Sequence, residues 1–438
     1  MDLRGQVGRR GQRPSLLARR EGTSALKNGR ELRDVDTDPA RSYPNVDAVR
    51  RAFPTLDEMT YLNVATYGLT PRPVLDRYLE LISLTAQYGH LRYAAEDVPA
   101  YQRARAALAG LLDVPATWLA FGRNATDGIN YILGSLAWQP GDEVIISDQE
   151  HPALTLPWEY GARRGLFTGR TFAVDPDPAL TLRNLEGQIT PRTRLIACSH
   201  VSSQTGIWLP GPAICALARR LNAAGRARPI LTLIDGTQEL GQWRVSVPAI
   251  GCDFYVSNGH KWLGGPPGSG ILVVREQAWG LLTPPYMAGG IGRAEDQDPI
   301  ADMLAHRDAP CLFESGTQNL AVVAVLADVV AWLDGLGWAW IEQRERALAA
   351  RLRGQLRELP GVRVLTPDVW EHSSAITSFS MAGIDGPYLH KALWERRIIT
   401  RYVPERNGIR ISTPYFTSEE ELDRLIAALG RLGAEPGR

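Results

Sequence analysis

The sequence has very few lysines. Of the 48 basic residues among its 438 positions, only Lys27, Lys261 and Lys391 are lysine, and the others are arginine. Arginine therefore serves wherever positive charge alone is needed. A lysine amine can lose its proton and act as a nucleophile, which a guanidinium cannot do. Lys261, in the middle of the chain, is a candidate for that chemistry, although a compositional remnant would look the same.

Cysteine, net charge and long apolar runs are also scarce. The four cysteines are widely and irregularly spaced, so they form neither a CxxC pair nor a zinc pattern, and a reducing, cytoplasmic location is expected. The 48 basic residues are balanced by 48 acidic ones, which argues against nucleic-acid binding through a general basic field. No run of about 18 apolar residues occurs, so no membrane span is predicted.

Several motifs of α/β enzymes are missing as well. No GxGxxG follows a predicted strand, and neither GxxxxGK[ST] nor GxSxG occurs. The seven histidines have no metal-ligand spacing and no HExxH is present, so no metal site is predicted. Any catalytic chemistry must come from another set of residues.

The chain divides into three predicted parts. Residues 1–42 are rich in arginine, poor in large apolar residues and without the apolar core of a secretory signal, so they are predicted to be a disordered tail. Residues 43–310 alternate apolar strands with helical periods, which favours a large α/β domain with a mostly parallel sheet covered by helices. Residues 311–438 are predicted to form a smaller α+β domain. The predicted strands of the large domain are Leu119–Gly122, Glu143–Ser147, Leu195–Ser199, Leu231–Ile234, Asp253–Val256 and Gly270–Val274.

Four polar elements follow predicted strands of the large domain. Lys261 and Asp235 follow two of them, His151 follows a third, and Ala125-Thr126 opens the helix after a fourth. Open α/β sheets bind ligands at the carboxyl ends of their strands, and helix N-termini bind phosphate. Taken singly, each element could be structural: a surface lysine, two helix caps and a packed histidine. Together, an amine, an acid for a ring nitrogen, a phosphate cradle and a planar stacking group describe a pyridoxal phosphate site.

From about residue 50 to 432 the sequence resembles the class V aminotransferases, a branch of the fold-type I pyridoxal phosphate enzymes. This branch includes cysteine desulfurases, isopenicillin N epimerase-like proteins, kynureninases and cystine C–S lyases. The matching motifs, in the family's order, are Tyr61-Leu62-Asn63 with Gly68 and Pro71, Ala125-Thr126, Glu150-His151 with Pro157-Trp158, His200-Val201-Ser202, Asp235-Gly236-Thr237-Gln238, Gly259-His260-Lys261-Trp262, Phe313-Glu314-Ser315-Gly316-Thr317 and Arg410-Ile411-Ser412. The resemblance implies a seven-stranded, mostly parallel sheet in the large domain.

The resemblance also implies roles for individual residues. Lys261 would bind pyridoxal 5'-phosphate covalently and is the expected catalytic residue, and Asp235 would pair with the ring nitrogen. The other expected cofactor contacts are Ala125, Thr126, Asn258 and His260 at the phosphate, His151 on the ring face and Gln238 at the ring hydroxyl. Arg410 would bind the carboxylate of an amino-acid substrate through paired hydrogen bonds, and Arg401 and Asn63 are further candidate substrate contacts.

The same resemblance implies a quaternary structure, and two residues of the sequence differ from the family pattern. Thr317 would reach the phosphate in the partner subunit, so a homodimer with shared active sites is expected. Ser203 stands where cysteine desulfurases have asparagine, which removes one contact to the ring hydroxyl. Asn258 stands where the family often has serine or threonine, and its amide can still donate to phosphate.

The reaction is less sharply defined by the sequence. Cysteine desulfurases need a cysteine nucleophile in a loop before the C-terminal arginine, and residues 401–410 contain none. Cystine C–S lyases resemble this chain in having two arginines nine residues apart, as Arg401 and Arg410 are, which suits a substrate with an extra carboxylate or a cystine-like second half.

The predicted function is a C–S β-elimination lyase on a cystine- or cysteine-type amino acid. An aminotransferase or isopenicillin N epimerase-like enzyme on a small amino acid or a biosynthetic intermediate remains open, and a desulfurase is less favoured. A cofactor-binding regulatory protein without turnover is a further alternative, against which the joint presence of Lys261, Asp235 and Arg410 argues.

Overall fold

The structure is a computed structural model that describes residues 26–27, 30–31, 44–283, 308–314 and 316–434. Two short antiparallel strands, β1 Leu26–Lys27 and β2 Arg30–Glu31, belong to the arginine-rich tail. The predicted disorder of the remaining tail lies outside the described residues.

Strands and helices alternate along the first two thirds of the chain. The strands are β3 Thr60–Tyr61, β4 Leu119–Gly122, β5 Glu143–Ser147, β6 Thr168–Phe172, β7 Thr193–Ser199, β8 Leu231–Asp235, β9 Phe254–Asn258, β10 Gly270–Val274, β11 Val362–Val364, β12 Ile376–Met381, β13 Ile398–Ile399, β14 Arg401–Val403 and β15 Gly408–Ser412. The longer helices are Arg72–Tyr88, Val98–Leu111, Ala125–Ser135, Pro152–Arg163, Pro178–Glu186, Gly211–Ala223, Leu326–Leu336, Trp338–Glu358, Gly386–Glu395 and Glu419–Ala434. Shorter helices are Val46–Arg50, His90–Arg92, Val247–Ile250, Glu276–Trp279, Ala309–Phe313 and Leu320–Ala324.

A seven-stranded sheet forms the centre of the large domain. Its strand order is β4-β10-β9-β8-β7-β5-β6, and its strands pair in parallel except β10, which is antiparallel to both β4 and β9. Successive residues of β7 enter the cores on opposite faces, with Ile196 on one side and Leu195 and Ala197 on the other. Burial on both faces explains why these strands are continuous apolar runs. The predicted α/β fold class is confirmed.

A smaller antiparallel sheet, in the order β11-β12-β15-β14, lies in the C-terminal part. Helices Trp338–Glu358, Gly386–Glu395 and Glu419–Ala434 share an apolar core with it. By contrast, Leu326–Leu336 contributes to the core that covers one face of the large sheet. The division between residues 310 and 311 therefore stays a prediction.

The N-terminal segment of the described chain packs against the C-terminal domain. Strand β3 pairs in parallel with β13, and Leu62 is buried in the C-terminal core. Arg50 Nη1 lies 2.6 Å from a carboxylate oxygen of the buried Glu421. Residues 63–68, which follow β3, are thereby carried to the junction of the two domains.

Two findings concern the membrane span and the metal site, neither of which the sequence predicts. Within the residues that the structure describes, no single helix is both long and apolar enough to cross a membrane. The segments Leu320–Leu336 and Trp338–Glu358 are long and apolar enough only when they are taken together, and they are bent by 74° relative to each other. In the same residues, no group of three His, Cys, Asp or Glu side chains could hold a metal ion.

Candidate active site

A cavity of about 250 Å³ opens at the carboxyl ends of β5, β7, β8 and β9. Because parallel strands end at the same edge, residues far apart in sequence meet there. All the cofactor contacts predicted from the sequence line this cavity, except Thr317. The lining residues are Thr66, Asn124, Ala125, Thr126, His151, Ala153, Ser199, Val201, Ser203, Asp235, Thr237, Gln238, Asn258, His260 and Lys261.

Lys261 lies in the turn after β9, and its backbone is fixed by a close approach of the N-terminal segment. Gly68 N–H donates to the carbonyl of His260 at 2.8 Å, and a Cβ on Gly68 would lie 2.0 Å from the Lys261 carbonyl oxygen. Burial, with a contribution from Arg410, lowers the pKa of Lys261 to about 8, and Asp235 opposes this shift. A larger share of neutral amine makes Lys261 the better nucleophile and base.

Asp235 is the last residue of β8 and is buried against the cavity. Its Oδ1 accepts a hydrogen bond from the Thr237 backbone at 2.9 Å, which fixes the carboxyl orientation. Burial raises the pKa of Asp235, while the Thr237 hydrogen bonds and Lys261 lower it. A buried acid with a cavity-facing position is suited to pair with a protonated ring nitrogen.

The N-terminus of helix Ala125–Ser135 forms another wall of the cavity. A Cβ on Gly270 would lie 2.4 Å from the Asn124 nitrogen, so the glycine lets the helix start directly at the sheet. The Ala125 N–H donates to Asn258 Oδ1 at 3.0 Å, and Asn258 Nδ2 donates to Thr237 Oγ1 at 3.1 Å. Asn258 therefore fixes the start of the helix. The donors left for a phosphate are the Thr126 hydroxyl, backbone N–H groups at the helix N-terminus and the second N–H of Asn258 Nδ2.

His260 adds an unpartnered nitrogen to this end of the cavity. Its Nδ1 is buried without a hydrogen-bond partner among the described residues. Burial and the neighbouring Lys261 lower the pKa of His260 to about 4, so the ring is neutral at physiological pH. A neutral imidazole donates through one nitrogen only, and an anionic ligand such as a phosphate would supply the missing partner.

His151 is a neutral planar group at the wall of the cavity. It caps helix Pro152–Arg163, and its Nδ1 accepts from the Ala153 backbone at 3.0 Å, which leaves the proton on Nε2. Desolvation, followed by the positive charges of Lys261, Arg410 and Arg401, lowers the pKa of His151 to about 4. A neutral ring suits the predicted stacking on a cofactor ring.

Gln238 is fixed at both ends of its amide. Its Nε2 donates to the Ala65 carbonyl at 2.9 Å, and its Oε1 accepts from Trp262 Nε1 at 2.9 Å. One amide N–H remains, which is the donor that the predicted contact with a ring hydroxyl requires.

A second cavity of about 330 Å³ adjoins the first and shares Thr66, His151, Ser203 and Lys261 with it. Its other lining residues are Ala65, Glu150, Pro152, Gln204, Arg401, Tyr402, Val403, Pro404, Glu405 and Arg410. Strands β14 and β15 of the small domain thus line the same cavity as Lys261, and two of the three predicted substrate contacts, Arg401 and Arg410, lie on them.

Arg410 is a buried guanidinium whose hydrogen bonds go to uncharged groups. Nη1 donates to the Ser203 carbonyl at 2.9 Å, and Nη2 donates to Thr66 Oγ1 at 2.6 Å and to Asn63 Oδ1 at 3.4 Å. Its Nε has no partner among the described residues. Burial and the field of Arg401 lower the pKa of Arg410 to about 9. A buried cation of this kind is stabilised when a carboxylate arrives.

Sequence reasoning missed some functional residues. Asn63 lines neither cavity and accepts a hydrogen bond from Arg410, so its predicted contact with substrate stays a prediction. Thr66, which was not singled out, lines both cavities and also accepts a hydrogen bond from Arg410. Glu150 was noted without a role; it accepts hydrogen bonds from Ser199 N and Oγ and from Ser147 Oγ. Burial raises the pKa of Glu150 to about 7. The Glu-His motif was the available signal for Glu150, and no motif marked Thr66.

Thr317 is exposed and lines neither cavity of its own chain. The residues before it are fixed to the sheet: Glu314 forms two hydrogen bonds with Arg105 at 2.7 and 2.8 Å and accepts from the Phe121 backbone at 2.8 Å. The predicted contact of Thr317 with a phosphate in the partner subunit stays a prediction.

Pyridoxal phosphate needs from its protein an amine for covalent attachment, an acid for its ring nitrogen and donors for its phosphate. Lys261 supplies the amine and Asp235 supplies the acid. Thr126 and His260 line the end of the cavity that would hold the phosphate, and the unpartnered His260 Nδ1 fits an anionic group there. With this sheet, the chain is a pyridoxal phosphate enzyme of fold type I. The sequence model of the aminotransferase class-V family matches residues 60–425, so the chain belongs to that family. The predicted family and cofactor are confirmed.

Relatives within the family differ in activity. Isopenicillin N epimerase of Amycolatopsis lactamdurans is 33% identical over 392 residues, which cover 85% of this chain and 95% of that protein. Cysteine desulfurase of Dickeya dadantii is 29% identical over 419 residues, 90% of this chain and 98% of that protein. Among solved structures, the complex of the cystine C–S lyase C-DES with its product cysteine persulfide has a TM-score of 0.76 and 27% identity, covering 86% of this chain and 99% of that chain.

Proposed function

We propose that this enzyme is a C–S lyase that cleaves the Cβ–S bond of a cystine- or cysteine-type amino acid by β-elimination, giving pyruvate, ammonia and a thiol or persulfide. The observation that carries the proposal is the part of the second cavity that β14 and β15 line together with Lys261. There β14 presents Arg401 and β15 presents Arg410, and residues 401–410 contain no cysteine. Elimination needs a bound carboxylate and a base, and it needs no protein thiol.

The described cysteines support elimination over desulfuration. Cys198, Cys215 and Cys252 are buried, and burial raises the pKa of each thiol. A thiol that accepts sulfur must be accessible and form a thiolate, and these three meet neither condition. Free thiols also accord with a cytoplasmic location, which stays a prediction.

The proposed mechanism assigns separate tasks to the chain's residues. Pyridoxal phosphate, when bound, supplies an electron sink for the electrons released at Cα. Arg410 binds the α-carboxylate, which orients the Cα–H bond toward Lys261. Lys261 Nζ, with its pKa lowered to about 8, accepts the Cα proton. His151 covers the cavity and keeps its proton on Nε2 because Nδ1 is occupied by Ala153 N–H.

Product analysis tests the proposed reaction. The protein loaded with pyridoxal phosphate is incubated with L-cystine or L-cysteine beside a Lys261→Ala control, and products are identified by mass spectrometry. Pyruvate that forms with the wild type and not with the control is the expected result. Alanine together with released sulfur would instead establish desulfuration and refute the argument from the missing cysteine.

The 33% identity to isopenicillin N epimerase favours epimerisation as a second candidate function. An epimerase returns the Cα proton to the other face and releases nothing. In deuterated water it would place deuterium at Cα of recovered substrate without forming pyruvate. That outcome, with L-cystine left intact, would replace the lyase proposal.

We also infer a homodimer, in which a second copy of the chain covers part of helix Arg72–Tyr88. Leu75, Leu79 and Ile82 of this helix are exposed at spacings of four and three residues, so they share one apolar face. Thr317, which does not reach its own chain's cavity, would then contact the phosphate in the partner. A dimer explains both the exposed apolar face of this helix and the position of Thr317 outside its own chain's cavity.

Leu79→Glu is expected to dissociate the dimer, because a charge cannot be buried unpaired in an apolar interface. The mass in analytical ultracentrifugation should halve, and the affinity for pyridoxal phosphate should fall when Thr317 is lost from the shared site. Trp394→Glu, another exposed apolar residue, on helix Gly386–Glu395, is the matched control and should stay dimeric. Dimers that persist in Leu79→Glu would place the interface elsewhere.

A further inference from the structure

We infer that Glu239 is a positioning residue for the cofactor. Together with His200 and Tyr255 it forms a buried network that fixes the turn carrying Asp235 and Gln238, and its negative charge stabilises the protonated cofactor. Because the network serves the cofactor, this role does not depend on whether the enzyme cleaves or epimerises its substrate.

The three residues of the network come from three neighbouring strands in the middle of the large sheet. His200 follows β7, Tyr255 lies on β9, and Glu239 ends the turn that follows β8. Their exposed fractions are 0%, 0% and 1% in that order. The network therefore spans the ends of the strands that carry the cofactor site, and water is excluded from it.

Both carboxylate oxygens of Glu239 are engaged inside the protein. The Tyr255 hydroxyl donates to Oε1 at 3.0 Å, and His200 Nδ1 lies 2.7 Å from Oε2. A nitrogen and an oxygen this close share a proton, because two bare lone pairs would repel each other. A Cβ on Gly236 would lie 1.9 Å from the Tyr255 hydroxyl, so the glycine leaves the space that this contact needs.

The charge of the network is negative. His200 Nε2 has no hydrogen-bond partner among the described residues, and a Cβ on Gly211 would lie 2.7 Å from it. An imidazolium would leave an N–H unpaired at this nitrogen, whereas a neutral ring with its proton on Nδ1 leaves only a lone pair there. In the described part of the chain, no lysine or arginine nitrogen lies within salt-bridge distance of Glu239. A buried carboxylate held by two neutral donors is stabilised further when a cation comes near.

The network is connected to Asp235 by the backbone and by charge. The His200 N–H donates to the Asp235 carbonyl at 2.9 Å, and the Glu239 N–H donates to the Gly236 carbonyl at 3.1 Å, which closes the turn. Burial is the first cause of the raised pKa of Asp235, and the negative charge of Glu239 adds to it. The field of Glu239 thus reaches the acid that is predicted to pair with the ring nitrogen, and a negative field favours a protonated, cationic ring.

The test removes the charge and keeps the size of the side chain. In Glu239→Gln loaded with pyridoxal phosphate, the pH midpoint of the visible absorbance of the lysine-bound cofactor is expected to fall by about one pH unit. This is the shift that one charge exerts over about 10 Å at an effective dielectric constant of about 20. For the same reason, the dissociation constant of pyridoxal phosphate, measured by fluorescence titration of the apoenzyme, is expected to rise about tenfold.

Two further variants separate this role from a purely structural one. Glu345→Gln is the matched control: it removes another buried carboxylate, which accepts from the Tyr415 backbone at 3.2 Å and lines neither cavity, and it should leave both readouts unchanged. Tyr255→Phe keeps the charge of Glu239 and removes one hydrogen bond. It should leave the pH midpoint within about 0.3 unit and raise the dissociation constant at least about threefold, because the turn is held less firmly.

Thermal unfolding of each apoenzyme measures the structural contribution. A lower unfolding midpoint in Glu239→Gln, with the pH midpoint and the dissociation constant both unchanged, would make Glu239 a structural residue and overturn the inference. If Glu239→Gln does not fold, Tyr255→Phe decides, and an unchanged dissociation constant in that variant overturns the inference. Absence of pyruvate from L-cystine would refute the lyase reaction and would not affect either cofactor readout.

Discussion

Lys261→Ala is expected to lower the turnover of every amino-acid substrate by at least about 10⁴-fold. The substitution removes the amine that binds the cofactor covalently and also the base at Cα, and a positioned base alone contributes about 10²- to 10⁴-fold. The measurement is the initial rate of product formation at saturating pyridoxal phosphate. The visible absorption band of the lysine-bound cofactor should be lost in the same variant.

The scarcity of lysine supplies the control for this experiment. Lys391 is exposed and lies 3.9 Å from Glu395 on the same helix, so Lys391→Ala should keep both the rate and the absorption band. Borohydride reduction followed by peptide mapping should place the cofactor on the peptide that contains Lys261. A label on Lys27 or Lys391, or a rate in Lys261→Ala within tenfold of the wild type, would refute the assignment.

Arg410→Met is expected to lower kcat/KM by about 10²- to 10³-fold, mainly through KM. Removing one partner of a buried, hydrogen-bonded charge pair costs about 2–5 kcal/mol in binding. Arg410→Lys should recover a small part of this loss, because an ammonium keeps the charge and loses the two parallel hydrogen bonds. Steady-state kinetics with the substrate identified by product analysis measures both variants.

Although Arg410→Met weakens catalysis, it should not lower the thermal stability of the protein. In the protein without substrate, Arg410 is a buried charge whose hydrogen-bond partners are the neutral Ser203, Thr66 and Asn63. A buried charge without a counter-ion is costly, and an apolar side chain of similar length removes that cost. The thermal unfolding midpoint of Arg410→Met should not fall below that of the wild type. A drop of several degrees together with normal kinetics would show that Arg410 is a structural residue.

Of the seven strands of the large sheet, the sequence predicted six, which are almost wholly buried, and missed β6. Leu119–Gly122, Glu143–Ser147 and Gly270–Val274 were predicted with the bounds that the structure has, because continuous apolar runs between turn residues mark them. Strand β6, Thr168–Phe172, is at the sheet edge and has a single buried residue, Phe172, so it carries no such signal. The reversed direction of β10 was also beyond prediction, since an apolar run is the same in either direction.

The candidate site was predictable where a residue belongs to a recognised motif and unpredictable where no motif marks the residue. Lys261 and His151 follow strands and Asp235 ends one, all at the same edge of the sheet, and the three residues line one cavity as expected. Thr66 lies in a loop, and its contact with Arg410 spans 344 positions of the chain. Asn258 was expected to donate to phosphate, which stays a prediction; in the structure its Oδ1 accepts from the Ala125 N–H and its Nδ2 donates to Thr237 Oγ1. An amide has one oxygen acceptor and two N–H donors, and sequence alone does not tell which of them the protein itself engages.

The pairing of β3 with β13 sets the order in which this enzyme can become active during its synthesis. Residues 63–68 reach the cavity because the preceding strand is anchored by Ile398–Ile399, and Arg410 completes the lining of the cavity that it shares with Lys261. Contacts between such distant positions form late, after long loops have been closed. A nascent chain can fold the large sheet while it is still on the ribosome. It cannot complete the substrate wall until Ile398–Ile399 and Arg410 have emerged, so the large sheet that carries the reactive amine forms before the residues that choose the substrate are in place.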